Sequence, residues 1–361
     1  MLGDGVGNYV QHSTLTNYAG SGHQELADLD GDGDLDVASL HWSQFGSYNA
    51  YICYNDGTAT FNCVGKSKSA GGGNNCYVMG GAVADLNNDG KGDLAVLCRD
   101  EGIRVWLSNG SGGHDIAGGA TGTSAYPLTA ITYAGQWKYG MNFGDIDNDG
   151  DIDCLLYGSI RMLLLNDGNG GWSVNTTTRA TRANTPSSHD NYELHAAVGP
   201  LSECHPVLTK TDGTCYYATV YDAAMGDLNG DGNLDIVMAT HLPDYSSRRS
   251  APTFPGAPNF VYWGDGKGNM VLDSVSGLCG AEKTFAVEFG DIDGDGDLDV
   301  VFGNSDTQSK VHMNDGFGGF TLSTDGMGGP SSVSVGVMTI VYGDLTLVRD
   351  ISSSFARFRP P

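Results

Sequence analysis

Residues 28–36 read Asp-Leu-Asp-Gly-Asp-Gly-Asp-Leu-Asp, five carboxylates in nine residues, one at every odd position. Like charges at this spacing repel, so a folded chain tolerates them only with a countercharge among them. Four related stretches follow: Asp-Leu-Asn-Asn-Asp-Gly-Lys-Gly-Asp at 85–93, Asp-Ile-Asp-Asn-Asp-Gly-Asp-Ile-Asp at 145–153, Asp-Leu-Asn-Gly-Asp-Gly-Asn-Leu-Asp at 227–235 and Asp-Ile-Asp-Gly-Asp-Gly-Asp-Leu-Asp at 291–299. Their starts lie 57, 60, 82 and 64 residues apart, a repeat period the size of one small sheet.

Numbered 1 to 9, every copy keeps Asp or Asn at positions 1, 3 and 5, Gly at 6 and Asp at 9. Side-chain oxygens at 1, 3 and 5, a sharp turn at 6 and a backbone carbonyl at 7 resemble the EF-hand ligand scheme compressed to nine residues. The donors are hard oxygens with no His or Cys, which favours Ca²⁺ over zinc or copper, and Mg²⁺ prefers a tighter octahedron. The candidate ligands are Asp28, Asp30, Asp32, Asp34 and Asp36; Asp85, Asn87, Asp89, Lys91 (by its carbonyl) and Asp93; and Asp145, Asp147, Asp149, Asp151 and Asp153. The last two loops offer Asp227, Asn229, Asp231, Asn233 and Asp235, then Asp291, Asp293, Asp295, Asp297 and Asp299. Five structural Ca²⁺ ions are expected, and none at Asp344, where Leu-Thr-Leu-Val-Arg-Asp follows without ligands at positions 3 and 5.

A second signature follows each loop: Tyr-Asn-Asp-Gly at 54, Leu-Ser-Asn-Gly at 107, Leu-Asn-Asp-Gly at 165, Trp-Gly-Asp-Gly at 263 and Met-Asn-Asp-Gly at 313. Asn-Asp-Gly is expected to supply the positive φ angles of a tight hairpin turn. Between the signatures lie short apolar runs such as Leu-Ala-Val-Leu-Cys at 94–98, which suit strands buried on both faces. Before each loop the residues are small, as in Met-Gly-Gly-Ala-Val-Ala at 79–84, which suits strands crowded around an axis. Each unit thus reads as strand A, acidic loop, strand B, variable connection, strand C, hairpin turn, strand D. Four-stranded antiparallel units stacked face to face make an all-β propeller.

The expected organisation is one propeller domain, 1–361, with repeats at about 13–64, 65–112, 113–175, 176–272 and 273–322. Residues 323–361 joined to 1–12 form the sixth blade: 333–344 reads as a strand A, and 2–10 as a hairpin turn with strand D. The N-terminal strand would close the ring and remove an exposed edge. The polar segment 174–217 carries neither signature and reads as an inserted loop rather than a seventh blade.

The formal charge of −25 argues against nucleic acid or an anionic membrane as partner. The five loops hold five, three, five, three and five acidic residues, about half of the 43, so the charge is local. No apolar run is long enough to cross a bilayer. The start, Met-Leu-Gly-Asp-Gly, lacks the basic and apolar regions of a signal peptide, which leaves a signal already removed or replaced, or a fragment of a longer chain. Eight cysteines form no CxxC or zinc spacing. Cys53, Cys63 and Cys76 cluster, Cys204 and Cys215 share a segment, and both groups fit disulfides in an oxidising compartment. Cys98 and Cys154 lie in apolar runs and are expected as buried thiols. Asn109 and Asn175 open glycosylation sequons.

The D-x-[DN]-x-D-G-x-x-D loops, each preceded by Gly-Asp or Ala-Asp, together with the NDGxGxF-type turns, resemble FG-GAP/VCBS repeats, the integrin α-type β-propeller. The resemblance covers nearly the whole chain. It implies a Ca²⁺-stabilised extracellular propeller, usually of seven blades against the six counted here.

The long connections 65–76, 113–136, 174–217 and 241–259 all fall on the face opposite the acidic loops, the expected partner surface. His189, His195 and His205 lie in the longest insertion, and His41 and His241 follow equivalent strands, with no catalytic motif around them. Trp42, Trp137 and Tyr139 could stack on a sugar, though aromatics at strand ends more often pack between blades. Arg248 and Arg249 read as a solvated pair. No catalytic or cofactor-binding residue is expected. The function expected is a secreted or cell-surface module binding protein or glycan, as in adhesion, or a structural subunit of an extracellular assembly. The alternative is a propeller belonging to a carbohydrate- or lipid-active hydrolase or lyase.

Overall fold

The computed structural model describes residues 2–3, 9–10, 21–41, 48–58, 60–67, 78–98, 102–110, 113–116, 138–158, 162–168, 172–174, 219–241, 257–273, 277–278, 281–304 and 307–323. All regular structure among them is β. Strands β1 (Leu2–Gly3) and β2 (Tyr9–Val10) form a short hairpin. The first four-stranded sheet holds β3 (Ser21–Ala27), β4 (Asp36–His41), β5 (Tyr48–Asn55) and β6 (Phe61–Ser67). The second holds β7 (Val78–Ala84), β8 (Asp93–Cys98), β9 (Gly102–Ser108) and β10 (His114–Ile116). The third holds β11 (Lys138–Gly144), β12 (Asp153–Gly158), β13 (Met162–Asn166) and β14 (Trp172–Val174). In the fourth, β15 (Thr219–Gly226) and β16 (Asp235–His241) are followed by β17 (Ala257–Pro258), β18 (Phe260–Gly264) and β19 (Met270–Leu272), of which β17 leaves the sheet. β17 pairs instead with β20 (Ala281–Glu282), just before the fifth sheet: β21 (Thr284–Gly290), β22 (Asp299–Asn304), β23 (Lys310–Asn314) and β24 (Phe320–Leu322).

In every four-stranded sheet the acidic loop joins the first two strands and the glycine turn joins the last two. The register repeats as well. Asn55 pairs with Phe61, Ser108 with His114, Gly264 with Met270 and Asn314 with Phe320. The β1–β2 hairpin has the same offset, Gly3 opposite Tyr9, the register of a C–D hairpin.

The expectation of doubly buried B strands holds. β8, β12 and β22 are buried at every residue, and β16 from Asp235 to Thr240. The first strands slip register once, at Ser21/His23, Val78/Gly80, Val220/Asp222 and Thr284/Ala286, the mark of a β-bulge that bends and twists the strand.

The chain divides into two compact units. One contains the first two four-stranded sheets, the other the last two, and the boundary runs through the third. Within the first unit, Leu40, Ile52, Val78, Leu94, Val96 and Trp106 share one buried apolar layer between its sheets. Within the second, Leu228, Val237, Val261, Phe289, Val300 and Phe302 do the same.

Two expectations are corrected. Among the described residues, positive φ in the hairpin turns is found at glycine and not at the Asn or Asp before it, for example Gly57 at 77° and Gly316 at 73°. The preceding Asp instead closes the turn: the Asp315 Oδ1 accepts from the amides of Phe317 and Gly319, both at 2.9 Å. Cys98 is disulfide-bonded rather than a thiol. A buried apolar strand tells nothing about a sulfur partner distant in sequence. Cys53 and Cys63 pair across β5 and β6, and Cys154 is a buried thiol as expected. The strand expected at 333–344, the segment 175–217, Asp344, Trp42, Trp137, His189, His195, His205, Arg248 and Arg249 lie outside the described residues.

Gly81 shows why the first strands need small residues. A Cβ there would sit 2.5 Å from the Ala95 carbonyl oxygen and 2.5 Å from Leu40 Cδ1 of the neighbouring sheet. Gly81→Val is therefore expected to lower stability by about 2 kcal/mol or more, as overpacking against backbone does, read by denaturant unfolding. An unchanged midpoint would contradict this packing.

Candidate metal centres

Each acidic loop is folded by its own carboxylates. Position 1 gathers the turn: Asp28 accepts from the amides of Gly31 (2.7 Å) and Gly33 (2.9 Å), and Asp291 from those of Gly294 (2.7 Å) and Asp295 (3.1 Å). Position 5 accepts from position 7, as in Asp231 Oδ1 with the Asn233 amide at 2.8 Å. The residue at position 4 is left-handed in every loop. It is Gly in three copies, and Asn88 and Asn148, both at φ 58°, in the others. Those two asparagines use the conformation to reach onward, Asn88 to the carboxylate of Asp151 and Asn148 to Asn233 Oδ1 at 2.8 Å.

Carboxylate oxygens of Asp28, Asp30 and Asp32 lie within 4.8 Å of one another, and so do those of Asp145, Asp147 and Asp153 and those of Asp291, Asp293 and Asp295. In the second and fourth loops position 3 is Asn87 or Asn229, an amide whose oxygen accepts from position 5 at 3.1 or 2.9 Å. At position 3 of the first and third loops, Asp30 Oδ1 and Asp147 Oδ1 are buried without a hydrogen-bond donor. Burial first, and the neighbouring carboxylates Asp32 and Asp149 next, raise the pKa of these two groups. A buried, donorless carboxylate oxygen facing two others is costly unless a cation supplies the missing partner. The donor set and these orphaned oxygens fit Ca²⁺.

Position 9 has a role that residue spacing did not show. Asp36, Asp93, Asp153, Asp235 and Asp299 are fully buried. One oxygen accepts from position 2 of the loop: Leu29 to Asp36 at 2.8 Å, Leu86 to Asp93 at 3.0 Å, Leu228 to Asp235 at 2.9 Å and Ile292 to Asp299 at 2.8 Å. The other accepts from the start of the glycine hairpin: Asn55, Ser108, Asn166 and Asn314 at 2.8 Å, and Gly264 at 2.9 Å. The carboxylate therefore ties the loop to the hairpin, and each oxygen keeps a lone pair for a metal.

The position 7 side chains, Asp34, Lys91, Asp151, Asn233 and Asp297, lie over the hairpin glycines Gly57, Gly110, Gly168, Gly266 and Gly316, where a Cβ would collide with them. Their side chains are engaged there, which leaves the backbone carbonyl for a cation. Lys91 departs further, placing its ammonium 3.0 Å from the position 5 carboxylate of Asp89. A cation at the second loop would have to compete with that ion pair, which no other candidate loop offers among the described residues.

The buried position 9 groups give the metal-free protein a pH dependence. Burial pushes Asp93 and Asp235 up to about 6, against the opposing pull of their backbone donors. Unfolded, an Asp ionises near about 4, so between about pH 4 and 6 the folded state binds more protons and stability falls as pH rises. The hairpin aspartates Asp56, Asp265 and Asp315 have lowered values and titrate below that window. A cation favours the ionised form and reverses the sign. The melting temperature in EGTA is expected to drop from about pH 5 to about pH 7.5, and saturating Ca²⁺ to abolish that drop. A metal-free melt that rises over this range would contradict the burial of these carboxylates.

The FG-GAP-like repeat family matches residues 28–96, 85–156 and 227–302. No curated protein matches the chain in sequence. Among solved structures it is similar to the periplasmic gluconolactonase of Pseudomonas aeruginosa, PpgL, at 15% identity and a TM-score of 0.49, over 84% of this chain and 69% of that one. It is also similar to the V. cholerae biofilm matrix protein Bap1, at 13% identity and a TM-score of 0.36 over 83% of this chain, which spans 38% of that protein. Neither likeness bears on activity. The family matches take in all five acidic loops and more than half of the chain, which therefore belongs to the FG-GAP-like repeat family.

Proposed function

We propose that the chain is a calcium-stabilised β-propeller, secreted or on the cell surface, that acts as a binding or assembly module rather than an enzyme. The observation that carries the calcium reading is the pair of buried, donorless oxygens on Asp30 and Asp147, each facing further carboxylates of its own loop. Ca²⁺ would be held by the side chains at positions 1, 3, 5 and 9 and the carbonyl at 7, and its contribution is to neutralise repulsion and lock the loop. Metal content after dialysis against trace Ca²⁺ is expected near five ions per chain. Melting temperature should fall in EGTA and recover with Ca²⁺ more than with Mg²⁺. A melt indifferent to chelation would make the loops ordinary turns.

Ring closure draws on the β1–β2 hairpin, which has the C–D register. It also draws on position 2 of the loops. Leu29, Leu86, Ile146 and Leu228 are at most 1% exposed, whereas Ile292 is 41% exposed, as expected of a position that a sixth blade from 323–361 and 1–12 would cover. The disulfide Cys53–Cys63 and the bonded Cys98 support an oxidising, extracellular setting. No helix among the described residues is long and apolar enough to cross a membrane.

The partner, an extracellular protein or glycan, is assigned to the long connections opposite the acidic loops. Asn259 constrains the test, because its Oδ1 accepts from the Thr240 amide at 3.1 Å and closes the end of β16. Shortening 242–256 while keeping 257–259 is expected to spare folding and Ca²⁺ binding and to weaken capture of a ligand identified by glycan array or pull-down. Asp36→Ala, on the other face, is expected to act through stability, by about 2–4 kcal/mol, since it strands two buried amides. Full affinity in the shortened protein would move the partner surface elsewhere.

A further inference from the structure

We propose that Ser108 and His114 together replace the hairpin asparagine of the first, third and fifth sheets (Asn55, Asn166 and Asn314), and that His114 is thereby a positioning residue for the cation of loop 85–93. The proposal rests on the calcium reading above. In the third and fifth sheets the hairpin opens with Asn166 or Asn314, whose side-chain amide donates two hydrogen bonds. One goes to the position 8 carbonyl of its own loop, Ile152 O at 3.2 Å or Leu298 O at 2.9 Å. The other goes to the position 2 carbonyl of the preceding loop, Leu86 O at 3.4 Å or Leu228 O at 2.8 Å. The amide oxygen accepts from the turn glycine two residues on, at 3.2 Å in both.

Ser108 has one hydroxyl proton. Its Oγ accepts from the Gly110 amide at 3.2 Å and donates to Leu29 O, position 2 of the preceding loop, at 3.0 Å. No proton is left for the position 8 carbonyl of its own loop, Gly92 O. His114 supplies it, with Nε2 3.0 Å from that oxygen. A carbonyl only accepts, so Nε2 carries the proton, and Nδ1 accepts from the Tyr54 hydroxyl at 2.9 Å. His114 is buried and stands where the other hairpins carry Phe61, Trp172, Met270 and Phe320. The serine and the histidine thus occur in the same hairpin and divide one amide's work.

The loop they serve is the one with the least to hold it. Its position 8 is Gly92, where the others have Leu35, Ile152, Leu234 and Leu298, and its Asp89 is paired with Lys91. Gly92 stands between Lys91, whose carbonyl is a candidate ligand, and Asp93. Fixing the Gly92 carbonyl orients the peptides on both sides of it.

The test follows ion count by native mass spectrometry of the full chain at stepped free Ca²⁺, with melts in Ca²⁺ and in EGTA. His114→Phe is expected to raise the free Ca²⁺ needed for the last ion about tenfold, the size of one hydrogen bond, and to leave the earlier ions unchanged. Adding Ser108→Asn should restore most of that loss, because the amide regains both donors. His114→Gln, which keeps a donor, covers the case in which His114→Phe does not fold, and should bind the last ion within about threefold of wild type. The proposal is overturned if His114→Phe leaves the last ion unchanged, or if it lowers the melt equally with and without Ca²⁺ and Ser108→Asn gives no rescue. A wild-type chain that binds no ion would instead overturn the calcium reading itself.

Discussion

In every acidic-loop repeat a buried aspartate carboxylate, at 36, 93, 153, 235 and 299, accepts a backbone amide from the glycine hairpin on one oxygen, and Asp36, Asp93, Asp235 and Asp299 accept the position 2 amide of the acidic loop on the other. Both partners are amides that strand pairing leaves over at the ends of hairpins. Burying a charge is unfavourable, and two charge-assisted hydrogen bonds offset that only if both hairpins stand where the carboxylate needs them. The distance between the two turns of each sheet is therefore set by one side chain. The position 7 side chains then lie over the hairpin glycines, and carboxylate oxygens converge at positions 1, 3 and 5 of the first and fifth loops and at positions 1, 3 and 9 of the third.

Convergence is what makes the charge pattern physically costly. The turns are already satisfied by backbone amides at positions 1 and 5, whereas position 3 of the first and third loops is left with a buried oxygen and no donor. The protein thus resolves its backbone hydrogen bonding internally, and the electrostatic repulsion is what the proposed Ca²⁺ would neutralise. In the second loop the Lys91 ammonium, 3.0 Å from Asp89, supplies part of the countercharge internally.

Departures from the repeat come with compensation. Ser108 lacks the second donor of an asparagine, and His114 provides it with Tyr54 of the adjoining sheet behind it. Gly264 lacks both donors, and there the Leu234 carbonyl approaches so closely that any Cβ would collide with it. Asn88 and Asn148 accept a left-handed backbone that glycine adopts elsewhere, and each gains a hydrogen bond to the following loop.

The sequence by itself determined the repeat, the loop and hairpin signatures and the doubly buried B strands. All of these are local patterns that recur at fixed offsets, and strand period or ligand spacing follows directly from such offsets. Only the tertiary structure decided the second role of position 9, the Asp-capped turns, the bonded state of Cys98 and the Ser108–His114 exchange. The position 9 link and the Ser108–His114 exchange depend on atoms brought together from separate parts of the chain, Asp36 with Asn55 across 19 residues, Ser108 with Leu29 across 79 and Tyr54 with His114 across 60, whereas the Asp-capped turns close within four residues. Residue spacing carries no record of such meetings, because the path of the intervening strands sets them.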